Sequence, residues 1–352
     1  MQPIKTDLSL NLQLKATSQE RDMLIKISRC NCAADVEALL QEFFSMRQLA
    51  PDSKFIRLAL ASAQTLWESK QLLKGSHNED WYRLHVYSYI FDKAFINDEE
   101  FETKRSECYS NITKFFPNEP DQRIDFILRN INDDSDLIST EEKPGRKGVK
   151  SDLEKGKAIQ KMMLKKWLKE IGSIKLLNKL EAITCQWEGT KLTIFATRTL
   201  TPDYTITYKK GAFSMPKSFN HLAELSKLLL AVLSLRRLVL SNYKKMNLIM
   251  KEKQREELLL LDFEDEDSLC LRSDSTYDTV EYDVGDDNNC KMDSDLEAEL
   301  LKKIEEIEIH TFVASVLNHL IKLSTLFVMN RRIVHNQIKP FHFRILVHLI
   351  QR

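Results

Sequence analysis

The sequence predicts an α/β (α+β) fold: a small mixed β-sheet flanked by helices, with extra helices at the N- and C-terminal ends. Three observations predict it. Apolar residues recur at helical spacing before residue 75 and again after residue 222. Between residues 123 and 208, short strand-like runs are punctuated by Asn-Asp, Pro-Gly and Glu-Gly turn signals. A long amphipathic stretch, 149–171, stands between the second and third of those runs.

Residues 17–75 read as helices, with Val36, Leu39, Leu40 and Phe43, then Ile56, Leu58, Leu60 and Leu66, recurring at helical spacing. Residues 80–96 (DWYRLHVYSYIFDKAFI) read as an aromatic-rich helix packed on that core, and 99–115 as a further helix carrying Arg105, Glu107 and Ser110. Arg123–Leu128 and Leu137–Thr140 are strand-like, joined by Asn132-Asp133-Asp134-Ser135 turn chemistry and closed by Pro144-Gly145. Val149–Ile171 is a helix with Val149, Leu153, Gly156, Met163, Trp167 and Ile171 on one face. Glu181–Trp187 and Leu192–Thr199 form a hairpin about Glu188-Gly189. Tyr204–Tyr208 is a last strand, ended by Lys210-Gly211, and 222–250 is helical again. The expected organisation is an N-terminal helical region (1–79), a core (80–250), an acidic linker or insertion (262–295) and a C-terminal helical segment (296–352).

The 352 residues carry 52 Lys+Arg and 52 Asp+Glu, a balance that hides a separation. From Lys143 to Lys169 there are ten basic and two acidic residues, a local +8; from Asp262 to Glu299 there are two basic and fifteen acidic residues, a local −13. The acidic stretch has the composition of a chain that cannot build a core, and could fold back over a basic surface. No cationic start precedes an apolar run, and no uncharged apolar stretch is long enough for a membrane span. The expected setting is therefore intracellular, nucleus or cytoplasm, not secreted, with no membrane partner. Six cysteines are scattered without a C-x-x-C pair, as in reduced intracellular chains. Neither a P-loop nor a Gly-x-Ser-x-Gly elbow is present.

The chemistry-bearing stretch is RIDFILRNINDDSDLISTEEKP, Arg123 to Pro144. Side chains two apart on a strand share a face, so Glu141 and Lys143 lie together if that strand extends through them. Asp125 reaches the same face if the hairpin register allows it. Two hard carboxylate oxygens on a rigid sheet suit Mg²⁺ (or Mn²⁺), which keeps waters and leaves room for a phosphate oxygen. On the following helix, Lys157, Lys161, Lys165 and Lys169 form an i, i+4 row of like charges, which costs a helix a few tenths of a kcal/mol per pair. Such a row is either an ordinary exposed face or a track for a nucleic-acid backbone.

The order helix, strand with Asp, strand ending in Glu-x-Lys, basic helix, strand resembles the PD-(D/E)XK, or restriction-endonuclease-like, nuclease superfamily. It is similar in particular to fungal members with an R-x-E-x-x-S helix, an R-x-D strand and an E-x-K strand. Here those read Arg105-Ser106-Glu107-Cys108-Tyr109-Ser110, Arg123-Ile124-Asp125 and Glu141-Glu142-Lys143, within about residues 80–245. The resemblance implies a restriction-endonuclease-like core, with Asp125 and Glu141 as metal ligands and Lys143 as the catalytic lysine. Glu107 would be the helix carboxylate that some members add to the metal shell. Gln160 or Lys161 would match a polar position on the next helix, so Lys157, Gln160, Lys161 and Lys165 are the expected nucleic-acid contacts. Ile124 stands where the namesake proline would be. The implied function is Mg²⁺-dependent hydrolysis of phosphodiester bonds, with DNA as the expected substrate. The competing reading is a catalytically degenerate nuclease fold that binds nucleic acid, or binds protein partners through its terminal helices.

Overall fold

The computed structural model describes residues 11–75, 77–96, 98–116, 118–145, 147–201, 204–264 and 294–306, without the side chains of residues 107, 257 and 259–264. The chain divides into two compact units, Met1–Lys302 and Lys303–Arg352. In the second, residues 303–306 are described and are helical. Most of the acidic segment (265–293) and the apolar stripe from Phe312 to Phe327 lie outside the described residues.

Helices α1 (Ser18–Arg29), α2 (Ala33–Ser45) and α3 (Pro51–Glu68) occupy the N-terminal region. A capping box of Thr17 and Glu20 starts α1. Next comes an unbroken helical run, α4 (Glu79–Tyr82), a π-helical stretch (Arg83–Asp92) and α5 (Lys93–Phe95). Six strands follow: β1 (Phe101–Tyr109), β2 (Arg123–Asn130), β3 (Asp136–Lys143), β4 (Ala182–Glu188), β5 (Lys191–Thr201) and β6 (Tyr204–Ser214). Helices α6 (Val149–Ile171) and α7 (Ile174–Leu177) lie between β3 and β4, and α8 (Leu222–Glu264) follows β6.

The six strands form one sheet in chain order. Neighbours are antiparallel except β3 and β4, which are parallel, with the α6–α7 crossover between them. One sheet face packs against α1–α3, the 79–95 run and α8 in a common core that includes Ile27, Phe43, Leu60, Phe91, Phe126, Trp187 and Leu229. The boundary expected at residue 79 therefore divides no two cores. The other face is covered by α6, whose Gly156 stands against Thr184: a Cβ there would meet Thr184 Oγ1 at 3.0 Å. Central strands covered on both faces read as nearly continuous buried runs, which is why β2 and β3 show little alternation.

Two expectations are corrected. Residues 101–109 are a strand, not part of a helix over 99–115: ladder pairing with β2 overrides the helical leaning of its Glu and Lys residues. A bulge separates Arg105, opposite Phe126, from Cys108, opposite Ile124, and Ser106 there takes φ 57°. Lys210-Gly211 does not end the last strand. Gly211 pairs with Ile194 beside a bulge, and a Cβ on it would lie 2.7 Å from the Phe213 ring.

Candidate active site

Strand β3 does extend through Glu141 and Lys143, and both meet α6. Lys155 Nζ lies 2.7 Å from Glu141 Oε1, and Asp152 Oδ2 lies 3.6 Å from Lys143 Nζ. Asp125, the residue before Phe126 on β2, joins the same group, with its Oδ2 3.8 Å from Lys143 Nζ. The hairpin register thus brings Asp125, Glu141 and Lys143 together, at the end of the sheet beside the start of α6. Gly148, with φ 85°, opens α6 so close to this group that a Cβ there would sit 3.7 Å from Lys143 Cε.

The helix expected to carry Glu107 does not form. Glu107 is on β1, in the bulged segment, and not on a helix. The helix that precedes the strands is the 79–95 run, and its Glu79 Oε2 lies 3.6 Å from Lys143 Nζ. Sequence reasoning missed Glu79 because it placed one helix too many before β2. The signal available was Asn78, an N-cap whose side chain accepts from the Trp81 amide and so marks the helix start.

A network of carboxylates and guanidinium groups holds this cluster. Arg83 Nη2 donates to Asp125 Oδ1 at 2.7 Å and contacts Glu79, Arg83 Nε donates to Glu142 Oε2 at 3.1 Å, and Asp125 Oδ2 accepts from the Glu142 amide at 2.9 Å. Arg105 donates to both oxygens of Asp92, at 2.6 and 2.7 Å, and also contacts Glu142. Its guanidinium lies over the Phe126 ring at 4.9 Å. Glu142 is fully buried between Arg83 and Arg105, so of the two adjacent glutamates it is Glu141 that meets Lys155 and α6. The carboxylates Glu79, Asp92, Asp125, Glu141, Glu142 and Asp152 outnumber the cations Arg83, Arg105, Lys143 and Lys155 among them.

This crowding sets the protonation states. Burial pushes the Glu141 carboxyl up to about 8; Lys155 opposes the shift, and Asp125 and Asp152 add to it. Burial would lower Lys143, but Asp125, Asp152, Glu79 and Glu141 outweigh it and hold the ammonium above the usual lysine range. In this arrangement Lys143 is a positive charge and hydrogen-bond donor, not a base.

The donors here are hard carboxylate oxygens, the chemistry that suits Mg²⁺ or Mn²⁺. Among the described residues no three or more His, Cys, Asp and Glu side chains form a ready-made metal cage. Mg²⁺ does not require one, because it is commonly held by one or two carboxylates plus waters and substrate phosphate. Asp152 Oδ2 is buried with no hydrogen-bond partner among the described residues, an acceptor that a hydrated cation would satisfy. Asp125 and Glu141 fit as ligands, with Glu79 and Asp152 beside them; Arg83 and Lys155 compete for the same oxygens.

The expected nucleic-acid contacts divide. Lys161 and Lys165 are exposed and have no ion-pair partner among the described residues. Lys157 is paired with Glu154 at 2.7 Å. Gln160 is corrected: it is fully buried, and its amide donates to the Ala182 and Phe195 carbonyls while accepting from Thr197. It ties α6 to the sheet and cannot reach a ligand at the surface. Among the described residues no helix is long and apolar enough to cross a membrane. Compared with protein-family models, with curated proteins and with solved structures, the chain matches none.

Proposed function

We propose that this chain is a metal-dependent nuclease of the PD-(D/E)XK kind, acting on phosphodiester bonds inside the cell, in nucleus or cytoplasm, with DNA as its substrate. The observation that carries this reading is the convergence of Asp125, Glu141 and Lys143 on one spot, with Glu79 and Asp152 closing on the same ammonium. The element order supports it as well: helix with Glu79, strand β1, strand with Asp125, strand ending in Glu141-x-Lys143, helices α6 and α7, strand β4.

Asp125 and Glu141 would hold Mg²⁺ or Mn²⁺, which supplies an acidified water and neutralises phosphate charge. Glu141 must give up its proton to serve, so metal affinity should rise with pH. Lys143 orients the attacking water and offsets negative charge that develops on the phosphate. Arg83 positions Asp125, and the Glu142 amide fixes its other oxygen. Lys161 and Lys165 follow Asp152 by roughly 13 to 20 Å along the α6 axis, a distance spanned by several nucleotides of backbone.

A second reading is a nuclease-like fold that binds nucleic acid without cutting it. What favours it is that Arg83 and Lys155 already neutralise Asp125 and Glu141. Cleavage of a mixed DNA and RNA panel with Mg²⁺ or Mn²⁺ separates the two, comparing wild type with Asp125→Ala and Lys143→Ala. The nuclease reading expects metal-dependent cutting that falls by about 10²-fold or more in both variants. Folded wild type that binds the panel and cuts none of it would establish the second reading.

A further inference from the structure

Of the α6 lysines, Lys155 reaches into the candidate site. Its Nζ lies 2.7 Å from Glu141 Oε1 on β3 and donates to the Arg123 carbonyl on β2 at 2.6 Å. The ammonium therefore bridges two strands, at a position two residues before Asp125 on β2. The neighbouring α6 lysines do not enter the site: Lys157 pairs with Glu154 on its own helix, and Lys150, Lys161 and Lys165 are exposed.

A carboxylate oxygen and a backbone carbonyl oxygen are also donors that a hard divalent cation takes. Any such cation bound through Glu141 Oε1 has to take over an oxygen that Lys155 holds. The two cations on the candidate ligands are held differently. Arg83 reaches Asp125, Glu79 and Glu142 together through one rigid fork. Lys155 ends a flexible four-carbon stem whose side chain is 27% exposed, and its ammonium rehydrates as it leaves. The Glu141 side chain is 4% exposed, so its carboxylate is costly to leave without any cation beside it. Lys155 compensates that charge, and a doubly charged ion at the same distance attracts it twice as strongly.

We propose that Lys155 is a positioning residue that stands in for the metal: its ammonium holds Glu141 in the metal-free protein and is displaced when a divalent cation binds. The identity of the cation rests on the nuclease reading, but the exchange is tested without catalysis. Acetylation of lysines in the full chain, read by mass spectrometry with and without Mg²⁺, measures whether Lys155 is released. Lys155 should react slowly without metal and faster with it, while the exposed Lys161 keeps one rate and serves as reference. Calorimetric titration with Mn²⁺ gives the second readout. Lys155→Met should bind Mn²⁺ about fivefold more tightly than wild type, the effect of removing one partly exposed ion pair. Lys150→Met removes a nearby charge that touches no ligand, and should change the affinity less than about twofold. An unchanged Lys155 acetylation rate in protein that binds Mn²⁺, a Lys155→Met affinity no tighter than wild type, or no Mn²⁺ binding by either protein overturns the exchange. Release of Lys155 with tighter binding by Lys155→Met, but no cleavage of nucleic acid, leaves the exchange standing and removes the nuclease reading. Asp125-dependent cleavage with Lys155 acetylation unaffected by metal does the reverse.

Discussion

Replacing Arg105 with Met tests whether the buried charge network holds the candidate site. Arg105 makes two short hydrogen bonds to Asp92, contacts the fully buried Glu142 and stacks over Phe126. Met fills much of the volume but leaves two desolvated carboxylates short of a partner. Glu142 keeps Arg83 at 3.1 Å; Asp92 loses both bonds. Removing one member of a buried ion pair costs about 3–5 kcal/mol, chiefly because the remaining charge stays buried. Burial already pushes the carboxyls of Asp92 and Glu142 up, and Arg105 pulls both down. A carboxyl with a raised folded pKa contributes stability below its unfolded pKa and loses it as pH rises through the folded one. Loss of Arg105 raises both further, so the penalty should be greatest near neutral pH and shrink as pH falls towards the ordinary carboxyl range. Urea unfolding across that range would measure it. Adding Glu142→Gln to Arg105→Met should recover part of the loss, a coupling that a double-mutant cycle isolates. A loss below about 1 kcal/mol at neutral pH, or one that does not depend on pH, would refute the reasoning.

The remaining expectations concern the site and α6. In metal-free buffer Glu141→Gln should gain on wild type as pH rises from the ordinary carboxyl range through about 8, by up to about 5 kcal/mol, because the buried Glu141 must ionise and Gln need not. Denaturant titrations at several pH values would check this, and a difference that stays constant with pH would contradict it. Gln160→Leu should cost about 1–3 kcal/mol, since the Ala182 and Phe195 carbonyls lose their donor. A thermal melt would show that loss, and an unchanged nucleic-acid affinity would separate the role of Gln160 from that of its neighbours. Lys161→Ala and Lys165→Ala should leave the melting temperature near wild type. Each should reduce the slope of log affinity against log salt by about 1, and an unchanged slope would remove them from the phosphate track.

The periodicity of Val149–Ile171 located α6 to the residue, because a long amphipathic helix carries its signal locally and repeats it over many turns. The hairpin about Gly189 was equally legible, since φ 56° there is a demand that one glycine answers. The strand 101–109 was not legible: its Glu, Lys and Arg residues lean towards helix, and only the ladder with β2 makes it extended.

The same division runs through the site. The sequence by itself determined that Glu141 and Lys143 share a face wherever the strand runs through them, because a strand's period of two leaves no alternative; that β3 runs to Lys143 was decided by its pairing with β4. It also marked Asp125 as a candidate and the α6 lysines as a basic row. Only the tertiary structure decided that Glu79 and Asp152 join them, that Arg83 and Arg105 claim Glu142, and that Gln160 faces inward. Those residues come from a helix more than forty positions before β3, a bulged strand and the helix after it. Their meeting depends on strand register and on the angle at which α6 crosses the sheet. Such long-range geometry is set by how whole faces pack, and no local spacing encodes it.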